Sequence, residues 1–248
     1  RKSKKINMNS NYFNITVKPD ITGANAVTAF ADEDLIFDWT EFSVPKGGAR
    51  LVGVTTIMRG TNGSRQEHAL DLYFAKAEQG DSAPGTLGTV NSSAGGQGYF
   101  NNLLGCLNVP LTDFRDGLDY MAVAHTNAVA TGAGFVMDDV TNRAGYTGFN
   151  KYYLGVISKG TPDFGTGVLC DDAISVNDTS IVVKTVDARK VFDVGDVLVD
   201  NGNAAIGTIK SIGSATAITL ESGAAEAVAS DDEIVNKNPV TFILHFEK

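Results

Sequence analysis

Apolar and polar residues alternate with period two along much of this chain, the spacing of half-buried strands. Residues 12–17 alternate in this way. Leu70, Leu72 and Phe74 do so within 68–75, where period two outweighs the nearest approach to a helical pattern at 67–78. Further runs at 34–39, 49–59, 118–124, 152–157 and 240–246 read as strands, and 103–107 as a short apolar piece. Turn signals separate them: Pro45-Lys46-Gly47-Gly48, and Asn62-Gly63 between 49–59 and 68–75, which are expected to pair as partner strands. No amphipathic helix of ten or more residues is predicted. Residues 78–98, rich in Gly, Ser, Asn and Ala, read as a long exposed loop.

The pattern changes after residue 165. Short strands at 180–183, 197–199, 205–209 and 217–220 are broken by Val194-Gly195-Asp196, Asp200-Asn201-Gly202-Asn203 and Gly213-Ser214. Longer strands bracket this stretch at 152–157 and 240–246. The organisation predicted is a basic arm over 1–20, a β-sandwich over 21–165 plus 237–248, and an inserted β-module over 166–236. The fold class is all-β: a jelly-roll-like sandwich with a small β-barrel inserted before the last strand. The two flanking strands are expected to be neighbours, or at least in one sheet, because the ends of an insert return to nearly the same place.

Charge narrows the function. The net charge is −9, yet Arg1, Lys2, Lys4 and Lys5 carry +4, leaving −13 for the rest. An acidic body opposes direct nucleic-acid binding, which needs a cationic face. The basic tip is either a solvated tail or an arm that docks on an acidic neighbour. No apolar core follows it, so it is not read as a secretory signal. No stretch approaches the roughly 20 apolar residues of a membrane helix, so no membrane partner is expected. Without a secretion signal, the Asn-x-Ser/Thr matches at Asn14, Asn62, Asn91 and Asn177 read as chance. Cys106 and Cys170 read as buried thiols of a reducing compartment, with a pairing between them left open.

Catalytic patterns are sparse. His68, His125 and His245 lie in or beside strands, with no second ligand at metal spacing. The serine-elbow and phosphate-loop patterns are absent, and Gly165-x-Gly167 carries no weight. Asp138-Asp139, Asp171-Asp172 and Asp231-Asp232-Glu233 offer hard oxygens for Ca²⁺, but they lack the ligand spacing of a calcium loop and read as solvated turns. Trp39 is the chain's single Trp. It reads as an anchor of the sandwich core rather than a sugar platform. No cofactor and no catalytic residue are assigned, and the chain is expected not to be an enzyme.

Two passages resemble structural proteins of tailed bacteriophages, especially those of marine bacteria. One runs from Phe37-Asp38-Trp39-Thr40 through Pro45-Lys46-Gly47-Gly48 to Val54. The other is Phe192-Asp193-Val194-Gly195-Asp196-Val197-Leu198 with Ala205-Ile206-Gly207-Thr208-Ile209 and Ala217-Ile218-Thr219-Leu220. The resemblance implies a virion component, assembled in the host cytoplasm. It would be either a capsid decoration (cement) protein bound to the major capsid protein and to copies of itself, for instance as a trimer, or a tail or fibre component acting as adaptor or receptor binder. In the first case Arg1, Lys2, Lys4 and Lys5 would form the capsid-contact arm. A lectin-like carbohydrate-binding domain is the alternative from another class.

Overall fold

The computed structural model describes residues 11–45, 47–77, 83–95, 101–115, 117–130, 136–137 and 149–248. The four basic residues Arg1, Lys2, Lys4 and Lys5, and the Asp138-Asp139 pair, lie outside the described residues.

Eight strands build a two-sheet sandwich. One sheet has the order β1 (Tyr12–Val17), β16 (Val240–Glu247), β3 (Ala49–Arg59) and β7 (Met121–Asn127), extended by β6 (Phe114–Arg115) beside β7 and by β8 (Val136–Met137) beside β3. The other has the order β2 (Leu35–Pro45), β9 (Phe149–Lys159), β4 (Ala69–Lys76) and β5 (Leu103–Val109). All pairs are antiparallel. Apart from the β4–β5 hairpin, each successive strand of the eight enters the opposite sheet. That alternation is the jelly-roll winding. Its core is made by the inward halves of the alternating strands. Phe242, Leu244 and Phe246 of β16 face a layer in which Phe42 meets Phe74 edge-on at 6.4 Å and Tyr152 at 6.0 Å.

Between β9 and β16 the chain makes a second, smaller sheet. Its order is β10 (Leu169–Cys170), β11 (Ser180–Lys184), β14 (Ala217–Leu220), β13 (Ala205–Ser214), β12 (Val197–Asp200) and β15 (Ile234–Asn236). A bridge between Leu169 and Glu233, and the bond from the Ile234 N–H to the Val168 carbonyl, join its two ends. The sheet therefore closes as a barrel, which leaves few unpaired edges. Ile181, Val183, Leu198, Ile206, Ile209, Ile218, Leu220 and Ile234 fill it as a cluster distinct from the sandwich core.

Several sequence expectations need correction. The strands flanking the insert are not in one sheet: β9 pairs with β2 and β4, and β16 with β1 and β3. The jelly-roll winding requires this, because the last connection always crosses the sandwich. Residues 68–75 do not return beside 49–59 for the same reason. The Asn62-Gly63 turn is real, with φ of 49° and 71° and a Thr61–Ser64 bridge, but the chain then crosses to the other sheet. The second half of the 1–20 arm is the edge strand β1, in which Phe13 stacks on Phe246 at 5.2 Å. The loop read as exposed is so over most of 83–95, and it is also pinned down there. Asn91 and Ser92 bond to Leu35, and Leu87 is 1% exposed.

Trp39 is also misread from sequence. It sits in a bulge of β2, where the register slips between Phe37 and Thr40. A bulge re-aims its side chains. Trp39 falls outside the core cluster and lies half-buried over Gly155 of β9, where an added Cβ would come 3.2 Å from the indole and 2.0 Å from Leu87 Cδ1.

Candidate functional site

Residues 166–236 hold twelve carboxylates against four Lys and Arg, and the remaining chain seventeen against sixteen. Nearly all of the net charge is thus on the barrel segment. Asp171, Asp172, Asp178, Glu221, Glu226 and Asp231 are exposed. Lys184 bridges Asp171 and Asp231 at 3.3 and 2.7 Å. A fixed ammonium between these carboxylates occupies the place a cation would take, and among the described residues no three His, Cys, Asp or Glu converge as a metal site. At the start of helix α2 (Ala188–Val191), Asp187 caps the Arg189 N–H. The Arg189 side chain holds its carboxyl down at about 2.

What fixes this acidic barrel in place is a polar junction with the sandwich. At the end of β3, Arg59 reaches Asp193 at 2.7 Å and grips both oxygens of Asp196 at 3.0 and 3.2 Å. Burial raises the pKa of Asp196, and the Arg59 guanidinium opposes that rise. The Asn62 N–H donates to the Gly165 carbonyl at 3.0 Å, so the Asn62-Gly63 turn abuts the chain entering the barrel. Lys190 lies over the Tyr120 ring at 5.5 Å. On the opposite flank, helix α1 (Gly23–Ala26) meets the turn after β12. The Ala24 N–H donates to Asn203 Oδ1, and Ile21 donates to the Lys237 carbonyl at 2.8 Å. Val199 and Val235, from barrel strands, complete the sandwich core cluster. These contacts restrict the angle at which the acidic surface is presented.

A second constellation lies on the outer face of the β1–β16–β3–β7 sheet. Four strands bring Asn14, His245, Thr55 and His125 into a row. His245 Nδ1 is 2.8 Å from Asn14 Oδ1, its Nε2 is 2.8 Å from Thr55 Oγ1, and Thr55 Oγ1 is 3.1 Å from His125 Nδ1. The rings meet edge-on at 5.4 Å. One direction of donation satisfies every member: His125 Nδ1–H to Thr55, the Thr55 hydroxyl to His245 Nε2, and His245 Nδ1–H to Asn14. Protonating both rings would leave the Thr55 hydrogen without an acceptor and set two cations side by side. Burial, then His125, lowers the pKa of His245. Burial also lowers that of His68.

The sign follows from linkage. A histidine with a folded pKa below its unfolded value of about 6.5 stabilises the fold fully above that value, and the contribution is lost as pH falls below it. Stability is therefore expected to drop between pH 7 and pH 5. The His245→Gln variant should show a shallower drop, with the His68 share remaining. Urea midpoints at the two pH values measure this, and an unchanged slope in the variant would count against the histidine row as its source.

The thiols do not meet. Cys106 is exposed on the edge strand β5 and Cys170 is buried in the barrel, and both are free. Burial pushes the Cys170 thiol up to about 11. The expectation of two buried thiols fails for Cys106, because it falls on the outward face of β5, alternating with the buried Leu107 and Val109. Three of the Asn-x-Ser/Thr positions, Asn62, Asn91 and Asn177, have positive φ. Left-handed turns, which Asn tolerates, account for their residue type.

No family model matches the chain, and no curated protein matches it. Solved structures similar to it at low level include the following. The structure of the infectious bursal disease virus Gt strain is 8% identical over 96% of this chain and 40% of that one, with a TM-score of 0.19. The infectious bursal disease virus VP2 subviral particle is 8% identical over 95% and 40%, with a TM-score of 0.17. Dimeric latent PorU from Porphyromonas gingivalis is 9% identical over 94% and 20%, with a TM-score of 0.13. This chain spans about 40% of the length of the two viral chains. At these TM-scores the likenesses carry no argument about fold or function.

Proposed function

We propose that the chain is a non-enzymatic structural component of a virion, a capsid decoration protein that stabilises the head by contacts with the major capsid protein and with copies of itself. The observation that carries this reading is architectural. A jelly roll has its last connection expanded into an acidic barrel, and the barrel is clamped to the sandwich on two flanks. Such a build suits a protein that works by burying surface against neighbours in a fixed orientation. Jelly rolls recur in virus capsids and in lectins, an analogy of fold rather than of site. The tailed-phage resemblance of residues 37–54 and 192–220 favours the virion over the lectin.

The basic residues Arg1, Lys2, Lys4 and Lys5 supply the electrostatic part of the proposed anchoring. Attraction by exposed cations is screened over about 8 Å at physiological salt. The test adds purified chain, full-length or lacking residues 1–6, to heads assembled from the major capsid protein of the same genome, and measures occupancy across ionic strength. Full-length protein is expected to saturate the heads. The truncated form should bind less at low salt, and the two should converge as salt rises. Failure of the full-length chain to bind heads at any salt would overturn the decoration reading. Equal binding of both forms would remove the arm from it.

A further inference from the structure

We propose that the groove between β1 and β2 is a binding site for a neutral, polyhydroxylated sugar, with Trp39 as its platform. Here the edge strands of the two sheets come together beside the pinned 83–95 loop. The groove has a volume of about 440 Å³ and is lined by Lys18, Asp20, Asp38, Trp39, Thr40 and Val90. That size falls within the usual range for small-molecule sites, about 300–1,000 Å³.

The lining pairs apolar surface with preset acceptors. The Trp39 Nε1 end is buried and its Cε3 edge lies over Gly155, so the rest of the half-buried indole lines the groove. Both carboxylates are already oriented. Asp38 accepts from the Leu87 N–H at 2.9 Å and the Thr86 hydroxyl at 2.8 Å. Asp20 is paired with Lys237 at 2.7 Å and accepts from Asn238 Nδ2 at 2.8 Å. Each carboxylate oxygen has a second acceptor site, and an ionised carboxylate accepts only, so the ligand must bring donors. Lys18 adds a hydrogen-bond donor from the protein side, while Thr40, whose hydroxyl already donates to the Asp38 carbonyl at 3.3 Å, offers an acceptor.

Charge then selects the ligand. Asp20 and Asp38 are balanced by Lys18 and Lys237, so the groove has no net pull on an ion of either sign. A pyranose ring meets both demands. Its C–H-rich face is apolar and fits an aromatic surface, while its rim is hydroxyl donors for carboxylates. Because the acceptors are held before binding, little ordering remains to oppose it.

This inference stands apart from the virion reading, since its test needs only the chain and free sugars. Trp39 is the single Trp, so intrinsic indole fluorescence reports on this groove alone. The full chain is titrated with maltotriose, cellotriose and a galactose trisaccharide, with sialyllactose as the anionic control. A saturable change in Trp39 emission is expected with at least one neutral sugar, at millimolar concentration, and a weaker one with sialyllactose. Lys18→Ala, an exposed change that leaves the fold intact, should weaken binding by about tenfold, the loss of one charge-assisted hydrogen bond. Trp39→Ala, followed by saturation-transfer NMR, should abolish it. If Trp39→Ala does not fold, Lys18→Ala decides. No saturable response to any neutral sugar, an equal response to sialyllactose, or unchanged affinity in Lys18→Ala would each overturn the proposal.

Discussion

Replacing Gly23 by alanine is expected to destabilise the protein by about 3 kcal/mol, the upper end of the usual cost of overpacking. A Cβ on Gly23 would lie 1.7 Å from the Asp200 carbonyl oxygen, 2.7 Å from its carbon and 3.1 Å from the Asn201 Cα. All three are backbone atoms, so no rotamer change relieves the overlap. Helix α1 must withdraw from the barrel turn. In doing so it lengthens the Ala24–Asn203 bond and strains the Ile21–Lys237 bond beside it. At about 2–4 °C per kcal/mol for a chain of this size, the melting temperature should fall by about 6–12 °C. Gly213→Ala is the control, because nothing lies within 4 Å of its added Cβ. It should change stability by no more than about 0.5 kcal/mol. Circular-dichroism melts of the two variants decide the matter, and equal melting temperatures would show that the α1–barrel contact is not tight.

What made this contact invisible beforehand is its distance along the chain. Gly23 opens helix α1 and Asp200 ends strand β12, and nothing local to either names the other. The same limit governs the whole comparison of sequence with structure. Local signals were legible. Period two marks β1, β4 and β16, Asn62-Gly63 forms the two-residue turn its φ preference dictates, and residues 180–183, 197–199, 205–209 and 217–220 lie within β11, β12, β13 and β14. Strands of two or three residues, β10 and β15, gave no period to read, although they close the barrel. Pairing was not legible: after the Asn62-Gly63 turn the chain crosses to the other sheet, and the strands flanking the insert lie in different sheets. The histidine row joins residues from four strands. His125 and His245 were correctly placed on strands, but their meeting through Thr55 depends on register across β16, β3 and β7. Trp39 was misplaced because bulk and apolarity suggest a core residue. The bulge that turns it outward, and the Gly155 that makes room for it, leave no signature in composition.

Excising the barrel is the second large change, and the jelly roll is expected to survive it. The eight sandwich strands pair among themselves, and none relies on a barrel strand for its ladder. The excision replaces residues 166–236 by a short Gly-Ser linker. That linker must carry the chain from β9 in one sheet to β16 in the other. The sheets of a sandwich stand about 10 Å apart, and an extended residue spans about 3.3 Å, so about six residues added to 160–165 and 237–239 suffice. Changing loop length costs little closure entropy. The loss comes instead from the junction. Val199 and Val235 leave the sandwich cluster, and Arg59 loses both carboxylates. Removing two partly shared valines costs about 3 kcal/mol. The excised chain should therefore unfold in a single cooperative transition at a lower denaturant midpoint, with its near-ultraviolet aromatic signal retained. A broad transition without that signal would mean that the sandwich cannot fold without the barrel. The two predictions also meet. In the excised chain Asp200 is gone, so Gly23→Ala should lose its penalty there. If it destabilises the excised chain as much as the full one, the cost arises within α1 and not at the junction.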